Sequence, residues 1–184
     1  MRKLVLLVAL GCAVTACSPS EPAPTAAPTP TLAGTPSVDP STDPLYLEAV
    51  DVYKKFFAEV DKAEMSGFKP ASLSPAIDPY VTGTMKESVE AGYKADKATG
   101  LRFQQSSRST TLKFAPNPGI SNGGSTVSIR VCVDATRQQI IDPSTNDVVG
   151  TGSLTYSEVF FKRSGAHLRA FAEQADGVMK CPIP

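Results

Sequence analysis

The stretch Val127–Asp134, with the sequence VSIRVCVD, decides the fold more than any other part of this 184-residue chain. Valine and isoleucine occupy alternate positions, and serine, arginine, cysteine and aspartate lie between them. An alternation with a period of two is typical of a strand that has one face against a hydrophobic core and the other face polar. The sequence therefore predicts a half-buried antiparallel strand here.

Turn residues divide the rest of the C-terminal half into further strands. Residues 101–115 are predicted to form one long strand, and the polar cluster 142–147 separates two short apolar runs, so that a hairpin is expected there. Residues 154–162 and 168–172 supply the last two strands. We expect these strands to follow one another in an antiparallel meander.

The N-terminal half of the domain is predicted to be helical. Asp43 is a suitable N-cap, and Pro44 suits the first helical position, where no backbone N–H is needed. Apolar residues then recur at helical spacing, which indicates one buried stripe. This stripe consists of Ala49, Val52, Tyr53, Phe56, Val60 and Ala63. Gly67 and Pro70 mark the end of the helix.

A second helical region follows the first. Ser74 and Pro75 resemble a cap and first position, which predicts a short helical turn. Thr84 and Glu87 have the spacing of a capping box, which predicts a helix that runs towards Gly100. Its apolar stripe is thin, so we expect it to lie on the surface of the core.

The order of these elements predicts the fold class. Helices that precede a run of antiparallel strands are typical of an α+β domain. We expect N-terminal helices to pack on one face of a curved antiparallel sheet of four to five strands. Residues 45–184 have the length of a single domain.

The start of the chain is typical of an export signal. Arg2 and Lys3 precede an apolar run, 4–14. This run is too short to span a bilayer, which needs about 20 residues, but it has the length of the hydrophobic part of a signal peptide. Residues 1–16 are therefore predicted to be a signal peptide.

The segment Val14-Thr15-Ala16-Cys17 resembles the lipobox of bacterial lipoproteins, in which the cysteine becomes the acylated first residue of the mature protein. The resemblance implies that Cys17 carries palmitate or a similar acyl chain. The membrane would then be a partner through this lipid, at the extracytoplasmic face of the cell membrane. An ordinary secretory signal that is cut after Ala16 is the alternative.

Residues 17–44 are predicted to be the lipidated cysteine followed by a disordered spacer. The range 18–44 contains eight prolines, no aromatic residue and one leucine. Such a composition buries too little apolar surface to offset the entropy of ordering. As a semi-extended chain it would reach about 80 Å at roughly 3.1 Å per residue. Glycosylation and recognition of a proline motif are the alternatives.

The cysteine count leaves one pair in the mature domain. Cys12 is lost with the signal peptide and Cys17 is acylated, so Cys132 and Cys181 remain. An even pair in an oxidising compartment predicts a disulfide, and two free thiols are the alternative. Two cysteines and the distant His167 cannot complete a tetrahedral metal site, so we predict no metal and no cofactor.

Four short segments of the C-terminal half form a recognisable series: Val131-Cys132-Val133-Asp134, the hairpin at Asp142-Pro143, Lys162-Arg163-Ser164-Gly165 and the terminal Cys181. This series resembles the NTF2-like (cystatin-like cone) domains found in lipoproteins of actinobacteria. The resemblance covers about 45–184. It implies a cone in which helices and a concave sheet enclose a pocket. Some relatives use that pocket for isomerase or dehydratase chemistry, and others only bind partners.

Four polar residues on the predicted strands are candidates for such a pocket: Arg130, Asp134, Tyr156 and Glu158. A carboxylate beside a tyrosine donor can abstract a proton next to a carbonyl group. The alternative is that these residues form the solvated face of the sheet or cross-strand ion pairs. We find no catalytic signature in the chain, and no nucleophile can be placed beside its single histidine.

The charge balance excludes one class of partner. Without the signal peptide the chain carries 16 basic and 18 acidic residues and has no basic patch, which argues against nucleic acid. The main hypothesis is a non-catalytic surface lipoprotein that binds an envelope protein or a small ligand. The alternative is an NTF2-like small-molecule-binding protein or an enzyme of the isomerase or dehydratase type. Burial of Asp134 or Glu158 beside Tyr156 in a closed pocket would favour the alternative.

Overall fold

The computed structural model describes residues 39–104 and 110–184. The predicted signal peptide, Cys17 and most of the predicted spacer lie outside these residues. The described residues form one compact unit of the α+β class, with helices first and antiparallel strands after them, as predicted. No helix in the described ranges combines the length and the hydropathy needed to cross a membrane.

The first helix begins where the sequence predicts. A 3-10 turn, Pro40–Thr42, leads into α1, Pro44–Met65. The Asp43 carboxylate accepts a hydrogen bond from the Leu45 N–H at 2.7 Å, so it caps the helix. The apolar side chains that α1 buries are Ala49, Tyr53, Phe56 and Ala63. The helix ends just before Gly67, whose φ of +75° suits glycine.

The second helical region contains a short helix, α2, Ser74–Ile77, and a longer one, α3, Gly83–Thr99. The predicted capping box at Thr84 and Glu87 is wrong, because Thr82 is the N-cap and makes no side-chain capping bond. The Thr84 hydroxyl instead donates to the carbonyl oxygen of Phe171 at 3.2 Å. A contact distant in sequence has therefore replaced the local one. Gly100, with φ +71°, ends α3 as predicted.

The strands form two antiparallel sheets, so the prediction of a single meander of four to five strands is wrong. The four-stranded sheet has the order β2-β3-β6-β7, and the three-stranded sheet has the order β1-β4-β5. The strands are β1 Arg102–Phe103, β2 Thr111–Pro116, β3 Val127–Asp134, β4 Gln139–Ile141, β5 Val148–Thr151, β6 Leu154–Ser164 and β7 His167–Gly177. The predicted hairpin around 142–147 is present as β4 and β5.

The prediction of one long strand over 101–115 is wrong. Its ends, β1 and β2, belong to different sheets: β1 pairs with β4, whereas β2 pairs with β3. The apolar residues are at odd positions in the first segment, Leu101 and Phe103, and at even positions in the second, Leu112 and Phe114. A single alternation therefore does not extend over both segments, and the change of parity agrees with two separate strands.

The core lies between the helices and one face of the four-stranded sheet, which we call the inner face. Ile129 and Val131 of β3 and Val159 and Phe161 of β6 are 0% exposed there, and they pack in one cluster with the buried side chains of the helices. The alternation of VSIRVCVD is thus confirmed. Between Phe160 and Phe161 the β6–β7 register shifts, and such a bulge bends the strand.

Candidate functional site

The opposite face of the four-stranded sheet, the outer face, carries the disulfide. Cys132 of β3 is bonded to Cys181, across a sequence separation of 49 residues and a Cα–Cα distance of 6.0 Å. The predicted pairing is therefore present. The bond holds the C-terminal tail on the sheet, where Ile183, 5% exposed, packs with Ala115 and Cys132. The tail and the sheet thus form a second, smaller hydrophobic cluster.

Three of the four predicted pocket residues lie on the outer face beside this disulfide. Arg130 is the cross-strand partner of Glu158, and Tyr156 is the cross-strand partner of Cys132. The Tyr156 hydroxyl donates to the Glu158 carboxylate at 3.4 Å, and the Arg130 Nε donates to the Pro116 carbonyl at 3.0 Å. Partial burial, followed by the charge of Glu158, raises the pKa of Tyr156. These side chains form a half-buried polar patch on the sheet surface.

Asp134, the fourth predicted pocket residue, is occupied by its own turn. Its carboxylate accepts hydrogen bonds from the Thr136 hydroxyl at 2.7 Å and from the Thr136 N–H at 3.1 Å. Both bonds favour the ionised carboxylate, so they lower the pKa of Asp134. This geometry is that of an Asx turn at the end of β3. Asp134 therefore has a structural partner at the end of the strand.

The inner face contains a polar cluster that sequence reasoning missed. Tyr53 of α1 is 4% exposed, and Ser157 of β6 is 1% exposed. Burial raises the pKa of Glu173 on β7, while a hydrogen bond with Ser157 acts in the opposite direction. Burial, followed by the charge of Glu173, raises the pKa of Tyr53 well above its usual range. Tyr53 also makes edge-on ring contacts with Phe56 and Phe114, so this cluster is packed into the core.

A second acidic group lies where α1, α3 and β1 meet. Burial, followed by the charge of Asp96, raises the pKa of Glu64 to about 7. Asp96 also lines a cavity of about 110 Å³ whose walls include Phe68 and Phe103. Such a carboxyl group exchanges its proton near neutral pH. The volume of the cavity beside Asp96 leaves room only for a small apolar group.

A larger cavity of about 500 Å³ lies at the edge of β7. Its polar lining residues are Asp78, Thr82, Lys86, His167 and Arg169, and we call it the edge cavity. Lys86 Nζ lies 2.6 Å from the Asp78 carboxylate. His167, at the start of β7, is exposed, as the sequence predicts.

The sequence offered no signal for the edge cavity, because three separate segments supply its walls. The loop after α2 pairs with β7: the Thr82 N–H donates to the Ala170 carbonyl at 2.8 Å, and the Ala170 N–H donates to the Tyr80 carbonyl at 2.9 Å. This pairing brings the first turn of α3 next to the start of β7. Within the described ranges, no group of three or more His, Cys, Asp or Glu side chains is arranged to hold a metal ion.

Comparison with known proteins gives no family assignment. No protein-family model matches the chain, and no curated protein gives a significant match. Among solved structures, the chain is similar to a de novo designed β-sheet protein determined by solution NMR. The sequences are 12% identical, the match covers 72% of this chain and 92% of the designed one, and the TM-score is 0.38. We draw no functional inference from this similarity.

Proposed function

We propose that the protein is an exported lipoprotein whose folded domain binds a partner at the extracytoplasmic face of the cell membrane. The acyl chain on Cys17 would anchor it, and the proline-rich spacer would hold the domain away from the bilayer. The observation that carries this proposal is the Cys132–Cys181 disulfide. Structural disulfides persist in oxidising compartments outside the cytosol, so the bond supports export.

The arrangement of polar groups favours binding over catalysis in this proposal. The carboxylate of Asp134 is bonded to its own turn, and that of Glu158 accepts from Tyr156 on the sheet surface. The half-buried Glu173 and the buried Tyr53 lie at the packed inner face. The edge cavity, in contrast, is open and lined by polar and charged side chains. The partner is an envelope protein or a small ligand that uses such surfaces.

We further propose that the domain is an NTF2-like cone. The order of three helices before an antiparallel sheet, and the bulge between Phe160 and Phe161 of β6, support this assignment. In the cone, the inner face would correspond to the pocket side. Here that side is filled by Phe56, Val131 and Phe161, so a small-molecule pocket of the isomerase type would have to open between α1 and the sheet.

Metabolic labelling with an alkyne analogue of palmitate in a bacterial host tests the lipoprotein proposal. We expect label on the wild-type chain and none on the Cys17→Ser variant. Cys12→Ser is the matched control, because it removes a thiol from the signal peptide and leaves Cys17 in place. Equal labelling of the wild type and Cys17→Ser would refute acylation at this residue.

Fractionation of the same cells tests the location. The wild-type chain should sediment with membranes and be released by detergent, and its Cys132 and Cys181 should resist alkylation until a reductant is added. Recovery of the wild type in the cytosol with both thiols free would contradict export. A Cys132→Ser variant provides the alkylation standard, since it leaves Cys181 without its partner.

A further inference from the structure

The edge cavity brings basic groups together from two segments of the chain. Lys86 comes from the first turns of α3, and His167 and Arg169 come from the start of β7. Asp78 is the one carboxylate among the lining residues, and its carboxylate lies 2.6 Å from Lys86 Nζ. The charge of Asp78 is thereby offset by Lys86. Apart from Asp78, no carboxylate lines the cavity beside Arg169.

The surroundings of Arg169 favour the binding of an anion. Its Nε is buried and has no hydrogen-bond partner within the described part of the chain. Its cross-strand partner is Lys162, a second cation, and like charges directly opposite each other destabilise a sheet. Leaving a buried donor of a charged group unpaired is also costly. A bound anion beside the exposed part of the guanidinium would offset the positive charge of Arg169.

The backbone around the cavity adds a second attraction for an anion. The helix α3 has 17 residues and begins at Gly83, and its N-cap, Thr82, makes no side-chain capping bond. The Thr84 hydroxyl is used by Phe171, so it does not cap the helix either. The helix dipole at this end of α3 then favours negative charge. Thr82 and Lys86, which flank this turn, both line the cavity.

Gly83 allows α3 to start this close to β7. Its φ is +56°, and a Cβ atom at this position would lie 3.0 Å from the Phe171 carbonyl oxygen. A larger residue would be strained and would push the start of the helix away from the strand. The positions of Lys86 and Arg169 relative to each other therefore depend on a glycine.

We propose that the edge cavity is a binding site for a phosphate group, as inorganic phosphate, a soluble phosphate ester or a lipid headgroup. A guanidinium supplies directed N–H donors, a lysine supplies a point charge and a helix N-terminus supplies backbone N–H groups, and phosphate is the common ligand of all three. This inference names the ligand class of the proposed binding domain. It rests on the domain being a binding module, but it is independent of acylation.

The single histidine makes the site observable without a label on the ligand. The full chain, purified in a nonionic detergent with any affinity tag removed, would be prepared with ¹³C-labelled histidine. Inorganic phosphate would be titrated at constant ionic strength, with chloride as the replaced anion. We expect a saturable shift of the His167 ring signal with a dissociation constant on the order of 1 mM. If the His167 signal shifts by the same amount when chloride is titrated alone, and the shift does not saturate with phosphate, the proposal is overturned.

Four variants sharpen this titration. Arg169→Gln should weaken phosphate binding about tenfold, and Lys86→Gln about threefold. Lys113→Gln, which removes the same charge from the opposite edge strand, should change it by less than about twofold. Asp78→Asn should strengthen binding, because it removes the competing carboxylate. Since unfolding cannot tighten binding, this last variant remains decisive if Arg169→Gln fails to fold, and unchanged or weaker binding would refute the proposal.

Two further arms distinguish the source of the phosphate. Glycerol 3-phosphate tests a soluble ester, and vesicles of phosphatidylcholine with phosphatidic acid, added to the Cys17→Ser chain, test a headgroup. Arg169-dependent binding in either arm supports the site and identifies its source, and binding in neither arm, together with no response to inorganic phosphate, refutes it. Palmitate labelling is a separate readout, so failure of this site and failure of the lipoprotein proposal can be told apart.

Discussion

The inner and outer faces of the four-stranded sheet come from the same strands but are stabilised differently. On the inner face, side chains such as Val131 and Phe161 are 0% exposed and belong to one continuous cluster with α1 and α3. On the outer face, the apolar cluster is small and depends on Ile183 in the C-terminal tail. A covalent bond from Cys132 holds that tail in place.

The difference shows what a half-buried sheet needs when helices cover only one of its faces. Packed apolar area is sufficient for the inner face, because each buried side chain there contacts others from both layers. The outer face has too few apolar residues to hold a short tail by contact alone. The disulfide restricts the unfolded chain, and this restriction stabilises the attachment of the C-terminal tail to the outer face.

A substitution on each face at neighbouring positions gives the most direct test. Phe161 is part of the inner cluster, and Phe160, 1% exposed, is the cross-strand partner of Ser128 on the outer face. We expect Phe161→Ala to lower the free energy of unfolding by about 4 kcal/mol, measured by urea denaturation. Phe160→Ala should cost about 1 kcal/mol less, since the thinner outer layer can relax into the space. Equal losses would contradict the distinction between the faces.

Removal of the disulfide should have the next largest effect. Cys132→Ser and Cys181→Ser should each lower the unfolding free energy by about 2–4 kcal/mol, because the closed loop of 49 residues no longer restricts the unfolded chain. The double variant should melt at the temperature of the single variants. Differential scanning calorimetry measures all three. Additive losses would show that the two sulfurs act independently.

The titration of Glu64 provides a test at the margin of the inner cluster. The pKa of its carboxyl group is about 7 in the folded protein, against a usual value of 4.5. The stabilising effect of protonation is therefore fully present below pH 4.5 and is lost as the pH rises through 7. We expect Glu64→Gln to be more stable than the wild type at pH 8 by about 1–3 kcal/mol and nearly equal to it at about pH 4.

Urea midpoints of both proteins at the two pH values measure this difference. Glu87→Gln is the matched control, because Glu87 is exposed on α3. It should leave the pH dependence unchanged. If Glu64→Gln shows the same pH dependence as the wild type, another group dominates the titration of the inner cluster.

The smallest effect is expected on the outer face. The Tyr156 hydroxyl makes one long hydrogen bond, 3.4 Å, to the Glu158 carboxylate. Tyr156→Phe should therefore lower the unfolding free energy by only about 0.5 kcal/mol, as measured by urea denaturation. A loss above about 2 kcal/mol would mean that this polar patch is a stabilising network comparable with the buried core.

Local signals in the sequence predicted the elements of this fold well. The cap at Asp43, the turn at 142–147 and the alternation in Val127–Asp134 each depend on neighbouring residues, and all three are present. The disulfide was predictable from a count of cysteines. The exchange of the Thr84 hydroxyl from a capping bond to Phe171, 87 residues away, was not, since nothing local distinguishes the two partners.

The sites were less predictable than the elements, for the same reason. The sequence predicted that Arg130, Tyr156 and Glu158 lie on strands, and the register of β3 and β6 places them on one sheet face. The edge cavity depends on the approach of α3, which carries Lys86, to the start of β7. Neither the apolar periodicity nor any motif in these two segments predicts that approach. Interpretation of a single sequence finds residues that share an element more readily than residues that share a cavity.

The pairing of the loop after α2 with β7 also affects the tendency of the protein to self-associate. An edge strand with unused N–H and C=O groups can recruit a strand from another molecule and begin aggregation. At Ala170 both groups are already taken, by Thr82 and Tyr80. The other edge of the four-stranded sheet, β2, exposes Lys113 and ends at Pro116, which has no N–H to donate. These features oppose strand addition at Ala170 on one edge and at Lys113 and Pro116 on the other.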